Sequence, residues 1–433
     1  MYRIVSGLLI YGDMPKDSIL MELSDIFKKM DDGSQSRDEL TLRVFTQMKH
    51  LLQVATDYGF DGNLWHNYLT FLLITTENPF SITCEKVGAG DGSVNAFAKS
   101  DFCAFLDLFR FDFSRIEQTL GIDCFSRICN YRAIQKKERM YNKNVSEKVR
   151  ALSRNLETAG DENAFFDLVT GFYRDFGVGM FGLNKAFRIA THGGLVEFCP
   201  INNMDAVVLS DLIGYEYQKK LLTDNTLAFV EGRPANNALL YGDSGTGKST
   251  SIKAIVNEFY DRGLRMIEIY KHQFQDLSQV IAQIKNRNYR FIIYMDDLSF
   301  EDFEIEYKFL KAVIEGGVET KPDNILIYAT SNRRHLIRET WSDRGDMEHD
   351  SDIHRSDTLE EKLSLASRFG CSICYLKPSR PEFDQMICKL AERNHIRMPQ
   401  DELLAEANRW ELRHGGISGR TAQQFINYLA GRV

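Results

Sequence analysis

One octet limits what this chain can fold into more than any other stretch: Gly242-Asp243-Ser244-Gly245-Thr246-Gly247-Lys248-Ser249. It fits G-x-x-x-x-G-K-[ST], the pattern of a phosphate-binding P-loop. The apolar run Ala238-Leu239-Leu240-Tyr241 before it reads as a buried strand. The stretch Lys248 to Tyr260 after it places Ile252, Ile255, Val256 and Phe259 on one helical face. Strand, glycine loop and helix form the setting in which this pattern works. The glycines let the backbone turn tightly enough for its N–H groups to converge on phosphate oxygens. The helix start adds the positive end of its dipole. Lys248 is placed for the β- and γ-phosphates, the Ser249 hydroxyl for Mg²⁺, and Thr250 follows in the first helical turn.

A length of 433 residues predicts two or three domains, and 43% hydrophobic with 26% charged residues fits a soluble globular chain. The net charge of −8 does not favour nucleic acid or an anionic membrane. The densest apolar run, Tyr68 to Ile74, is too short to cross a bilayer, and the start of the chain lacks a signal-peptide core and cleavage site. A cytoplasmic address is expected. The eight cysteines are scattered and predict free thiols in a reducing compartment. Cys371 and Cys374 have the spacing of half a zinc site, but they fall in a strand pattern that points them to opposite faces. No metal or redox role is expected of them.

Residues 1 to about 200 read as mainly helical, with helices over Asp38 to Tyr58, Asn63 to Thr75 and Val94 to Phe111 and a glycine loop over Lys86 to Ser93. The aromatics of Val94 to Phe111 read as core. Phe176 to Leu183 reads as a loop or hinge. Tyr131 to Arg154 is the most basic stretch, which suits either an anionic partner or, more simply, a solvated helix face. Leu8 to Asp13 echoes Leu239 to Asp243, yet Met14-Pro15-Lys16-Asp17 lacks Gly-Lys-Ser, so the echo is taken as coincidence. From Asp211 strand and helix alternate. Strands are expected at Ala238 to Tyr241, Met266 to Ile269, Phe291 to Met295, Ile325 to Ala329 and Ser372 to Leu376, which predicts a parallel α/β sheet. From Pro381 the pattern is helical, over Glu382 to Asn394, Glu402 to Arg413 and Ser418 to Leu429.

Phe291 to Met295 ends in Asp296-Asp297, the pattern of a strand that delivers one carboxylate beside Mg²⁺ and a second to the attacking water. Ile325 to Ser331 ends in Asn332, whose amide suits a water or the γ-phosphate if this strand lies between the other two. With these motifs in this order, residues 211 to 433 resemble an AAA+ ATPase module. That resemblance implies that Asn332 is sensor 1, Arg368 the arginine finger, Arg420 sensor 2, and that Asp211-Leu212-Ile213-Gly214 packs on adenine. Arg333 and Arg334 are rival fingers. Asp346 to His354 gathers Asp and His without the spacing of a metal motif and reads as a charged loop. More narrowly, Glu77-Asn78-Pro79-Phe80-Ser81, Asp211 to Lys219, Asp296 to Phe300 and Thr330 to Leu336 resemble an uncharacterised family of bacterial AAA+-type ATPases with a helical N-terminal region.

The expectation is therefore an α/β AAA+ P-loop parallel sheet over 201–380, a helical lid over 381–433, and a mainly helical N-terminal domain over 1–200. The resemblance implies binding and hydrolysis of ATP with Mg²⁺; the first expectation built on it is a homo-oligomeric ring, joined through Arg368, that remodels an unknown protein partner through residues 1–200. Asp297 stands where most AAA+ enzymes carry Glu, and the shorter side chain implies slow turnover. Two alternatives stand beside it: a nucleotide-dependent binding switch with little hydrolysis, and a DNA-associated loader or regulator using the basic stretch.

Overall fold

The computed structural model describes residues 1–134, 143–202, 204–300, 306–315, 322–332 and 365–432. It divides into two compact units, Met1–Asn184 and Lys185–Val433.

The first unit is built of helices whose ends are set by local chemistry. Helix Arg37–Tyr58 opens on a capping box between Ser36 and Glu39 and stops at Gly59, which takes φ 65°. Helix Leu64–Thr75 is capped by the Asn63 side chain, and helix Pro79–Val87 by Asn78 with proline in its first turn. The core is aromatic. Phe60, Trp65, Phe80, Phe102, Phe105 and Phe165 are fully buried, so the aromatics of helix Val94–Phe109 are packing residues. Residues 8–13 do not form a phosphate cradle. The N–H groups of Leu9, Ile10 and Tyr11 wrap the buried Asp101 carboxylate at 2.8–2.9 Å. Of the basic stretch, residues 135–142 lie outside the described residues. Helix Lys143–Glu157 turns Val145, Val149, Leu152 and Leu156 inward. Its Lys148 lies over the Phe176 ring at 4.4 Å, and its Arg150 stands 3.8 Å from Asp61.

Two corrections to the sequence reading fall near residues 176–200. Glycine-rich Gly179–Leu183 is a short helix rather than a loop, entered through Gly179 at φ 73°. Ala186–His192 and Leu195–Pro200 are strands β1 and β2, an antiparallel hairpin turning on Gly193 and Gly194, both at positive φ. They extend the sheet of the second unit, so helical character ends before residue 200.

That sheet has seven strands, completed by β3 Ala238–Gly242, β4 Leu264–Glu268, β5 Arg290–Met295, β6 Ile325–Ser331 and β7 Cys371–Tyr375, in the order β2-β1-β4-β5-β6-β3-β7. Every pairing except the β1–β2 hairpin is parallel. The fully buried β6, Ile-Leu-Ile-Tyr-Ala-Thr-Ser, is the continuous apolar run that a strand covered on both faces requires. It lies between β5 and β3, so the carboxyl ends of the three motif strands sit side by side. In an open parallel sheet that edge is where ligands bind. Helix Lys248–Phe259 lays Ile252, Ile255, Val256 and Phe259 onto the sheet. Burying each is worth about 1.5–3 kcal/mol, which anchors the helix start that follows the glycine loop. Three further helices, Arg380–Arg393, Gln400–Arg413 and Gly419–Ala430, close on their own apolar cluster around Phe383, Ile387, Ala422 and Ile426. The first begins where the Ser379 N–H meets the Glu382 carboxylate at 2.7 Å. The second unit is thus the expected mostly parallel α/β sheet followed by three C-terminal helices, and the first unit is helical.

Candidate functional site

The glycine loop is held by backbone. Gly242 takes φ 126°, and a Cβ there would lie 2.1 Å from the Tyr375 carbonyl oxygen, so only glycine fits. The same carbonyl accepts the Asp243 N–H at 2.9 Å, and the Asp243 carboxylate accepts the Lys377 N–H at 2.8 Å. The loop is thereby fastened to β7 and to the residues just beyond it. Gly245 and Gly247 take φ 77° and 92°, and the helix begins at Lys248 with its first amides unused within the helix. Lys248 is buried. Its Nζ donates to the carbonyls of Gly242 (3.0 Å) and Asp243 (2.6 Å) and to Asn332 Oδ1 (3.1 Å). Burial lowers its pKa against the pull of Asp297, Asp243 and Asp296.

The two carboxylates after β5 sit beside it. Asp296 Oδ1 accepts from Ser249 Oγ at 2.7 Å and from Thr330 Oγ1 at 2.6 Å. Burial alone would raise the Asp296 pKa, but the hydroxyls of Thr330 and Ser249 outweigh it and hold the group below its ordinary value. Asp297 occupies the left-handed region at φ 50°, uncommon for a residue with a Cβ. Its N–H donates to Thr330 Oγ1 at 2.9 Å, and its Oδ1 accepts from Asn332 Nδ2 at 2.7 Å. Ser249, Asp296, Thr330, Asp297, Asn332 and Lys248 therefore form one connected chain of hydrogen bonds.

These residues line a cavity of about 690 Å³ together with Ser244, Thr246, Thr250, Leu212, Ile213 and the lid residues Met386, Leu390, Arg420, Gln423 and Gln424. Arg420, in the first turn of the last lid helix, donates its backbone N–H to the Gly245 carbonyl at 3.1 Å, so lid and loop meet directly. Leu212 and Ile213 enter the cavity from the segment before helix Glu216–Val230, which Arg393 pins through the carbonyls of Ser210 and Asp211. Tyr215, at φ 60°, donates its hydroxyl to the Leu376 carbonyl at 2.9 Å, where the sheet hands over to the lid. Met386, Leu390, Tyr215, Gln423, Gln424 and Thr330 escaped the sequence reading. Thr330 and Tyr215 fall within the stretches Thr330 to Leu336 and Asp211 to Lys219, which gave neither a role of its own.

Arg368 is not among the lining residues. It is half-buried, just ahead of β7. In the β3–β7 register Gly242 faces Tyr375 while Ala238 faces Cys371, so Arg368 lies beyond the opposite end of the strand from the glycine loop. Arg333, Arg334 and the Asp346 to His354 cluster lie outside the described residues. All eight cysteines are free, Cys371 and Cys374 included. Among the described residues no group of three or more His, Cys, Asp or Glu could hold a metal, and no helix is long and apolar enough to cross a membrane.

Residues 183–433 match the profile of a family described as "Protein of unknown function (DUF815)". No curated protein matches the chain. Among solved structures, the chain is similar to a point mutant of Thermotoga maritima RuvB at 16% identity, over 51% of this chain and 64% of that one, with a TM-score of 0.36. It is similar also to the Thermotoga maritima RuvB Holliday junction branch migration motor, at 14% identity over 51% and 71%, with a TM-score of 0.32. The chain thus covers less than two thirds of the first of these structures.

Proposed function

The chain belongs to the DUF815 family of proteins of unknown function, and we propose that it binds ATP with Mg²⁺ and hydrolyses it to drive the remodelling of a partner. The supporting observation is one cavity, between sheet and lid, that gathers Lys248, Ser249, Asp296, Asp297, Asn332 and Arg420. Its volume falls within the range of about 300–1,000 Å³ that suits small-molecule sites.

Each end of the cavity has its own chemistry. Leu212 and Ile213 on one side and Met386 and Leu390 on the other offer apolar faces to a flat base. The glycine-loop amides and Lys248 hold the phosphates. Ser249 and Asp296 are oxygen donors in contact with one another, a pair that fits Mg²⁺, which takes one or two protein oxygens and completes its shell with phosphate and water. The ion when bound neutralises charge on the β- and γ-phosphates. Asp297 accepts a hydrogen bond from the attacking water and orients it, with Asn332 fixing the carboxylate. Arg420 brings positive charge from the lid. Arg368, at the near end of β7 and away from the glycine loop, serves the site of a neighbouring subunit, so turnover depends on assembly. Residues 1–184 form the compact unit that holds the partner.

The second reading is a nucleotide switch with little turnover. It is favoured by Asp297, a short carboxylate already engaged by Asn332. A steady-state ATPase assay on the purified chain, with and without DNA, separates the readings. Turnover above about one per minute in the assembled form supports the motor, because an intact metal site and finger sustain that rate. Slower turnover with tight ATP binding supports the switch, and stimulation by DNA points to a nucleic-acid partner. Absence of ATP binding in magnesium refutes both.

A further inference from the structure

We infer that Thr330 is a positioning residue that sets both carboxylates of the site through a single hydroxyl, an inference that rests on the ATP reading above. A hydroxyl has one proton to give and lone pairs to receive. The Asp297 N–H can only donate, and it points at Thr330 Oγ1 from 2.9 Å. The hydroxyl is therefore the acceptor there, and its proton goes to Asp296 Oδ1 at 2.6 Å. One hydroxyl thus accepts from the backbone of Asp297 and reaches the carboxylate of Asp296.

The grip continues on the backbone. The Leu298 N–H donates to the Thr330 carbonyl at 2.7 Å. Two successive amides, those of Asp297 and Leu298, thus end on one residue of the neighbouring strand. Between them Asp297 sits in the left-handed region, a conformation that persists only where its surroundings impose it. Thr330 is 2% exposed and flanked by β5 and β3. Its β-branched side chain has little rotamer freedom, so the hydroxyl stays where both partners need it. Asn332 orients the Asp297 carboxylate and Ser249 the Asp296 carboxylate. Thr330 alone of these side chains is bonded to both aspartates.

The test uses the full chain with Thr330→Val, which keeps the shape and removes the hydroxyl, and Thr330→Ser, which keeps the hydroxyl. Binding of a fluorescent ATP analogue is measured in EDTA and then across a Mg²⁺ titration, and kcat and KM are measured alongside. The expected result for Thr330→Val is analogue affinity in EDTA within about twofold of wild type, with the Mg²⁺ midpoint raised and kcat lowered by about 10- to 100-fold at little-changed KM, the usual size of effect for a residue supporting a metal ligand. Thr330→Ser is expected to restore both. If Thr330→Val does not fold, judged by its melting curve, Thr330→Ala takes its place. A Thr330→Val chain with the wild-type Mg²⁺ midpoint and kcat would overturn the inference, as would a Thr330→Ser chain as defective as Thr330→Val. If the wild type binds ATP without turnover, the Mg²⁺ titration decides by itself. A wild type that binds no analogue removes the ATP reading and this role together, a result distinct from the other two.

Discussion

Replacing Lys248 by alanine separates binding from folding, and the structure sets the size of each effect. In the free protein the three protons of Nζ are all engaged, by the carbonyls of Gly242 and Asp243 and by Asn332 Oδ1. Phosphate binding therefore exchanges neutral acceptors for charged ones. The ammonium makes its hydrogen bonds charge-assisted in both states, so the bonds themselves change little. What is gained is the attraction of the ammonium for phosphate charge, about 4 kcal/mol for a unit-charge pair about 4 Å apart at an effective dielectric of about 20. The total is about 3–5 kcal/mol, or about two to three and a half decades of affinity. Folding should barely notice. Of the three acceptors left behind, Asn332 borders the cavity, the space vacated by the lysine opens onto it for water, and a charge that burial disfavours is gone. The expected change in stability is under about 1 kcal/mol, a shift of at most about 2–4 °C in melting temperature for a domain of this size. Titration calorimetry with a non-hydrolysable ATP analogue and a melting curve of the same sample measure both. An affinity within threefold of wild type would refute the reasoning, and so would a variant whose loss of binding coincides with a collapse in melting temperature.

Asp297→Asn is expected to retain ATP binding while lowering turnover by at least about a hundredfold, as loss of a residue that orients and polarises a water does; equal loss of both would assign Asp297 to binding instead. Gly242→Ala would drive a Cβ into the Tyr375 carbonyl and should destabilise the chain by about 3 kcal/mol or more, measured by denaturant unfolding. Arg368→Ala is expected to bind ATP normally but not to turn it over, and mixing it with Lys248→Ala subunits should restore part of the rate, since each supplies what the other lacks. Asp296 has a lowered folded-state pKa, so its stabilising contribution is present above its unfolded value and lost as pH falls through the folded one. Stability should therefore decline on acidification below about pH 4, and less steeply in Asp296→Asn, as followed by melting curves across that range.

The parts of the site that the sequence displayed are those whose chemistry is local. A glycine loop, a lysine and a hydroxyl must be consecutive to cradle a phosphate, and Asp296 and Asn332 each end an apolar strand, so their roles leave a short linear trace. The helices Asp38 to Tyr58 and Asn63 to Thr75 were legible from their period, within a residue or so of Arg37–Tyr58 and Leu64–Thr75. What escaped depends on distant segments meeting. Met386 and Leu390 look like any inward pair on a lid helix until Leu212 and Ile213 are seen across the cavity. Tyr215 reads as one more aromatic until its hydroxyl is found on the Leu376 carbonyl. The β1–β2 hairpin is different. Its alternation in Ala186–His192 and the Gly193-Gly194 turn were present in the sequence, but the helical patterns before it masked so short a change of period.

The edge strand β7 acts as a ruler. Its far end touches the glycine loop through the Tyr375 carbonyl and the Lys377 amide, while Arg368 stands at its near end. An inserted or deleted residue between Arg368 and Tyr375 would flip every later side chain to the other face and pull the strand out of step with β3. The loop and Lys377 both need that step. The distance from arginine to cradle is thus a fixed length, and lengthening that span by one residue should cost more than most substitutions within it.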